Sequence, residues 1–557
     1  MRNRWRTYGA LVILRLLIAF TSFSIIHPDE HFQNPEIAAD LVFDYSRNEA
    51  GPLKTWEWLG NEPCRSIAPV WISSGVAFKL VKAIIGNNPS AKTLFYAERL
   101  AMFCLSLLID ISLYLTSRSY LSLLLFASSP STLTFLVRPF SNSIETLTLA
   151  LTLYLTSRVI GHKQRYLWPI GGILAFGVWT RITFVAFAAP SAVAVIPSLY
   201  QPTGRASSML ARLLSTLKRG SPALISFLLT AYSLALVDTL YFSSNLSFQS
   251  LVLHPSKLVL TPYNLLKYNS SSSNLAEHGL HPRWLHAFVN LPMLFGVGLF
   301  VVGDGVRREW RDGGKETKDR KERWMYRLLL ASFFVPLLAL SIQPHQEPRF
   351  LVPLLIPLVL LASHSSFLTS PRRTKKRRIF WSLWIVHSLL FTTLFGYSHQ
   401  AGLLPTLFRL YQELQDSNSL SFAKEEIDLV FWKTFMPPRH LLLPVSGDAH
   451  PNSSSRRINE HDLGGIPYTQ LISTLSSLID TSSPSHSTSP SHATFLITPS
   501  YLFNPSLPPS SADKLCFDPQ LGGSTFGAHV DIDRLGEMLG TGWERWGVGV
   551  WQVKGEC

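Results

Sequence analysis

Residues 22–37 read SFSIIHPDEHFQNPEI, so an apolar run ends directly against His27, Asp29, Glu30, His31 and Glu36. Carboxylates and imidazoles at a membrane boundary are costly unless they are solvated or used. A carboxylate there can act as a general base, because partial desolvation moves its pKa toward neutrality. The same residues also have a structural reading. Pro28 suits a turn, and Asp29 or Glu30 in a first helical turn favours the positive end of the helix dipole. Two more polar stretches have this character: His278, His281 and Arg283 in EHGLHPR, and His345, Glu347 and Arg349 in HQEPRF. Glu347 and Arg349 stand just before an apolar block. Stretches of this kind on one side of a membrane would supply a common polar site, either an active site or a binding vestibule.

The elements that must position these groups are apolar helices. The chain has 557 residues, 47% hydrophobic and only 15% charged, against about 25% charged in soluble domains. Long unbroken apolar blocks predict an all-α polytopic membrane protein. The first block, Tyr8 to Ile26, has 19 residues, close to the roughly 20 a span requires. It lacks a small-residue cleavage site, so it reads as a span and not a signal peptide. Arg2, Arg4 and Arg6 precede it, which puts the N-terminus in the cytoplasm and HPDE on the far side. Arg15 inside the block must face protein or water. Basic segments alternate with apolar blocks further on, placing 242–285, 344–350 and the residues after 398 on the far side. Connecting the first loop to the basic 200–220 segment needs an odd number of crossings, which brings the expected total to about eleven helices. The stretch 121–157 is open to two readings, one bent span or two with a re-entrant piece.

The glycosylation acceptors Asn245, Asn269 and Asn452 all fall in far-side segments, while Asn88 and Asn504 are followed by Pro. That agreement fits a secretory-pathway membrane. The net charge of +14 lies in short segments between apolar blocks, so it reads as topology determinants and not as a nucleic-acid surface. Cys64, Cys104, Cys516 and Cys557 show no C-x-x-C spacing, and no metal site or cofactor is expected. Arg138, Asn142, Arg181 and Asp238 lie in or beside apolar blocks, where they either pair internally or line a polar cavity. The triplet DID, Asp531 to Asp533, has the D-x-D form with which soluble glycosyltransferases hold a metal and a nucleotide sugar, but so short a pattern is unspecific. The expected organisation is a membrane domain over 1–405, with HPDE in the loop 27–66, and a C-terminal region over 406–557. Its Ser/Pro-rich part, 438–515, reads as flexible, and the last forty residues read as a small strand-containing cap. No internal repeat supports a transporter built from paired halves.

The segments HPDEHFQNPE, PCRS, RPFSNSIETLTLAL, GVWTRITFVAFAAP, VDTLYF, YNSSSSNLAEHGLHPRWLH, HQEPRFLVPLLIPL and HQAGLLP occur in an order that resembles the glycosylphosphatidylinositol (GPI) mannosyltransferases of glycosyltransferase family 22. The resemblance covers roughly residues 8–440. PCRS, NLAEHGLHPR and the Gln-Glu-Pro of HQEPRF are similar to the type that adds the fourth mannose. Sister enzymes that add the third GPI mannose, or α1,2-mannoses of the N-glycan precursor, share HPDE. Pro139 stands where Thr is expected, and Trp284-Leu285 replace Tyr-Thr; neither departure touches HPDE. The resemblance implies a GT-C membrane fold in the endoplasmic reticulum. The donor would be dolichyl-phosphate-mannose, the acceptor a GPI precursor glycolipid, and the chemistry an inverting α1,2 transfer. Asp29 is then the expected base, with Glu30 as supporting partner or alternative. His345 and Arg349, and less directly His281, Arg283, His278 and His27, are expected around the donor phosphate and substrate. A multi-pass transporter or flippase is the rival class, in which ionisable groups would sit near mid-span and not at span ends.

Overall fold

An apolar segment without water must close its backbone hydrogen bonds internally, and helices follow. The computed structural model describes residues 2–45, 51–200, 209–243, 257–277, 279–312, 320–416, 422, 424–442, 457–481, 492–503, 515–523 and 525–555. Among these, six helices are long and apolar enough to cross a membrane: Ile67–Ile85, Ala91–Ser117, Met209–Phe242, His286–Arg311, Lys321–Ile342 and Thr374–Ser398. The helix Met209–Phe242 turns Leu213, Leu217, Leu224 and Leu228 outward, a face that lipid tails solvate and water does not. The expected total of about eleven spans is not reached by long helices among the described residues. Between 118 and 200 the chain divides into shorter pieces: Tyr120–Ala127, Pro130–Thr134, Ser141–Ile160, Leu167–Thr180 and Phe184–Leu199. Pro130 opens one piece, and Pro190 and Pro197 lie inside the last, each removing a backbone donor. The N-terminal helix Arg2–Thr21 carries four arginines, Arg2, Arg4, Arg6 and Arg15, which shorten its apolar stretch.

The chain packs as two compact units. The first comprises Met1–Leu17, Thr55–Ile72 and Met102–Leu390; the second comprises Ile18–Lys54, Ser73–Ala101 and Phe391–Cys557. This division differs from the expected break at 405, because the HPDE segment packs with C-terminal residues. In the first unit, the helix Leu167–Thr180 lies so close to Met209–Phe242 that a Cβ on Gly171 would strike the Ala223 backbone. Small residues permit such approaches between apolar helices. Arg15 is buried there and pays no isolated-charge penalty: its Nη1 donates to Asp110 at 2.7 Å and to Ser106 at 3.0 Å.

The second unit contains a mixed five-stranded sheet: β1 (Glu426–Phe431), β2 (Arg457–Asp462), β3 (His492–Pro499), β4 (Cys516–Pro519) and β5 (Val548–Lys554), in the order β2-β1-β3-β5-β4. Strand β1 runs parallel to β2 and β3, with Asp428 opposite Asn459 and Thr494. Strand β5 is antiparallel to β3 and β4. The helix Tyr468–Thr481 joins β2 to β3 and lays Leu471 and Leu475 against Val430, Leu496, Trp551 and Val553. The flexible reading of 438–515 therefore fails for 457–481 and 492–503. The apolar residues ISTLSSLI and ATFLI, set among serines and prolines, bury one face of a crossover unit. Cys516 is disulfide-bonded, while Cys64 and Cys104 are free thiols.

Candidate active site

HPDE lies in the second unit. Pro28 precedes a short helix, Asp29–Phe32, and the two adjacent carboxylates point into different surroundings. The Glu30 side chain is 0% exposed and is ion-paired and hydrogen-bonded to the equally buried Arg99 of the helix Ala91–Ser117. The Asp29 side chain remains 27% exposed. It accepts a hydrogen bond from Gln33 Nε2, and His27 Nδ1 lies 3.4 Å from its Oδ1. Of the two, Asp29 is the carboxylate that keeps part of its surface open. Glu30 has the geometry of a frame residue: a buried carboxylate with a buried guanidinium, costly to break.

HQEPRF and EHGLHPR meet in the first unit. Glu347 is shared by two basic side chains, with His345 Nε2 2.8 Å from its Oε1 and Arg349 Nε donating to its Oε2. His345 Nδ1 lies 3.2 Å from the Gly279 carbonyl, and the His281 and His345 rings are 5.8 Å apart. Gln346 locks the two loops: its backbone N–H donates to His281 Nδ1 at 3.2 Å, and its Oε1 accepts from the His286 N–H at 2.8 Å. The Gln346 amide also donates to the Arg283 carbonyl at 3.4 Å. Burial pulls the His345 pKa down, but the hydrogen bond and charge of Glu347 outweigh it, and the net direction is up. Arg181 and Arg349 both stand by the Phe350 ring, with Cζ 5.0 and 5.5 Å from its centroid.

The remaining expected residues are placed as follows. Arg181 Nε lies 3.3 Å from Glu145, which also takes hydrogen bonds from Thr183 at 2.8 Å and from Asn142 at 3.4 Å. Asp238 accepts from Ser66 at 2.9 Å, the Ile67 N–H at 3.0 Å and Thr261 at 2.9 Å, so it ties three segments together. Arg138 is fully buried. Asn269 is half-buried at the end of the helix Thr261–Asn269. His278, Asn245 and Asn452 lie outside the described residues. The DID triplet is a turn: Asp531 caps the Asp533 N–H at 3.1 Å and sits 3.4 Å from Arg534.

Sequence reasoning missed Glu98, Arg99 and His440. The pair Glu98-Arg99 did carry a signal, since charges inside an apolar block mark a built polar site. His440 carried none: it meets Glu36 across 404 residues.

Residues 6–444 match the family model described as the Alg9-like mannosyltransferase family. GPI mannosyltransferase 4 of Emericella nidulans is 33% identical over 497 residues, covering 86% of this chain and 82% of the relative. The human GPI alpha-1,2-mannosyltransferase 4 is 31% identical over 511 residues, covering 86% and 81%. The GPI mannosyltransferase 4 of Saccharomyces cerevisiae is 30% identical over 456 residues, covering 79% and 76%. Among solved structures, ArnT from Cupriavidus metallidurans bound to undecaprenyl phosphate is similar at a TM-score of 0.49 and 12% identity, covering 98% of this chain and 97% of that one. With the match running from the first helix through HPDE and HQEPRF to the start of the sheet unit, the chain belongs to the Alg9-like mannosyltransferase family.

Proposed function

We propose that this chain takes mannose from dolichyl-phosphate-mannose and transfers it in α1,2 linkage to the third mannose of a GPI precursor, adding the fourth. The observation that carries the reading is the asymmetry of HPDE, in which Glu30 is held by Arg99 while the Asp29 carboxylate stays reachable. Support for the substrates comes from relatives named GPI mannosyltransferase 4, one of which carries the α1,2 linkage in its name. The donor sugar is β-linked and the product α-linked, so one displacement inverts C1. The acceptor oxygen bonds to C1 as the bond from C1 to the phosphate oxygen breaks. Asp29 takes the hydroxyl proton, an assistance worth about 10²–10⁴ in rate. Dolichyl phosphate leaves as an anion and needs no acid. Cationic donors stabilise the charge that develops on it, and His345 and Arg349 fill this role, with His281 and Arg283 beside them.

In this reading the chemistry takes place on the lumenal side of the endoplasmic reticulum membrane, with the N-terminus cytoplasmic. The disulfide at Cys516 fits an oxidising compartment for the C-terminal region. The prenyl tail of the donor stays in lipid, which accounts for a catalytic chain built largely of apolar helices.

The deciding experiment supplies microsomes with labelled dolichyl-phosphate-mannose and GPI intermediates bearing two, three or four mannoses. Label is expected only on the three-mannose species. Transfer to the two-mannose species instead would assign the chain to a sister activity of the family, and movement of lipid without transfer would favour a transporter.

A further inference from the structure

Next to the HPDE turn, the second unit holds a polar cluster that the transfer chemistry does not use. His31, Glu98 and His440 are each at most 1% exposed. One nitrogen or carboxylate oxygen from each lies within 4.8 Å of the others. Neither oxygen of the Glu98 carboxylate accepts a hydrogen bond among the described residues, although the side chain is 0% exposed. A carboxylate so placed needs a cation or a proton. His440 is already held by a carboxylate. Glu36 Oε1 accepts its backbone N–H at 3.0 Å and lies 2.8 Å from its Nδ1. That bond keeps the ring proton on Nδ1 and leaves Nε2 as a lone-pair donor, with no hydrogen-bond partner among the described residues. A carboxylate behind a histidine that offers its other nitrogen inward is the usual outer shell of a metal-binding histidine.

We propose that His31, Glu98 and His440 bind one divalent transition-metal ion, zinc by ligand preference. Two imidazoles and one carboxylate are a familiar zinc donor set with a fourth position left over. The charges of Glu98 and Glu36 cancel that of the ion, while Glu30 and Arg99 neutralise each other alongside. The ion would tie the HPDE turn to the helix Ala91–Ser117 and to the segment Arg439–Leu441, fixing the backbone two residues from Asp29. Its role is positional. It departs from the expectation that no metal is bound, which rested on the lack of a metal-ligand spacing in the sequence.

The test uses the full-length chain purified in detergent micelles, stripped with chelator, and reloaded with zinc or cobalt. One ion per chain is expected after reloading, with the visible bands of tetrahedral cobalt. Glu98→Gln and His440→Gln should abolish retention, and Glu36→Gln should weaken zinc affinity about 10- to 100-fold through the loss of its hold on His440. Asp29→Asn should retain the ion in full, which separates this site from the transfer chemistry. No stoichiometric zinc in the reloaded unmodified chain, or unchanged retention in both ligand variants, would overturn the proposal and leave a proton as the partner of Glu98. Should the ligand variants fail to fold, the cobalt spectrum of the unmodified chain decides: tetrahedral bands support the site and octahedral, water-like bands refute it.

Discussion

HPDE and HQEPRF are both short polar stretches at the ends of apolar segments, yet they treat their carboxylates in opposite ways. In HPDE two neighbours diverge: the Glu30 side chain is 0% exposed against Arg99, and that of Asp29 is 27% exposed. In HQEPRF a single carboxylate, Glu347, is shared by His345 and Arg349. The first arrangement buries one acid against a guanidinium and leaves the other partly open. The second sets two basic side chains against one acid. The proposed base and the proposed anion-stabilising cluster would call for these two electrostatic designs.

The contrast makes specific demands. Replacing Arg99 with Leu should have the largest effect on the protein itself. Removing one member of a buried ion pair costs about 3–5 kcal/mol, read as a lower unfolding temperature. Glu30→Gln combined with Arg99→Met should recover much of it, and no recovery would show that Arg99 acts elsewhere. Arg349→Ala should lower the single-turnover rate about 10²–10³-fold, the scale of one lost oxyanion-type donor, with the fold intact. Glu347→Gln should act through pH. Glu347 raises the His345 pKa against the pull of burial, so it extends the protonated, cationic form to higher pH. Without it, burial and the Arg349 charge pull the pKa down against the Gly279 carbonyl, and the alkaline limb of kcat/KM should move to lower pH. An unmoved limb would remove His345 from the mechanism. Asp531→Asn should do least, costing under about 1 kcal/mol as a turn cap and leaving transfer unchanged. Loss of a metal-dependent activity there would restore the D-x-D reading.

Much of this could be read from the residues. Unbroken apolar blocks announced the long helices, and Arg15 within one had to face protein or water; it faces protein, paired with Asp110. The shared polar character of EHGLHPR and HQEPRF anticipated their meeting through Gln346 and His281. The span count was harder. Length alone does not show that Pro130 starts a new piece while Pro190 and Pro197 sit inside one without ending it. Of the sheet, the strand-containing reading of the last forty residues covers β5, but β1 was hidden, because it is buried along nearly its whole length and the alternation in EIDLVF stops after four residues. Contacts such as Glu36 with His440 leave no local trace in a single sequence, since nothing near either residue depends on the other.

The most direct test of the account is the single-turnover rate of Asp29→Asn with dolichyl-phosphate-mannose and the three-mannose GPI acceptor, beside its unfolding temperature. The account predicts a loss of about 10²–10⁴-fold with no change in unfolding. A rate close to that of the unmodified chain would contradict it.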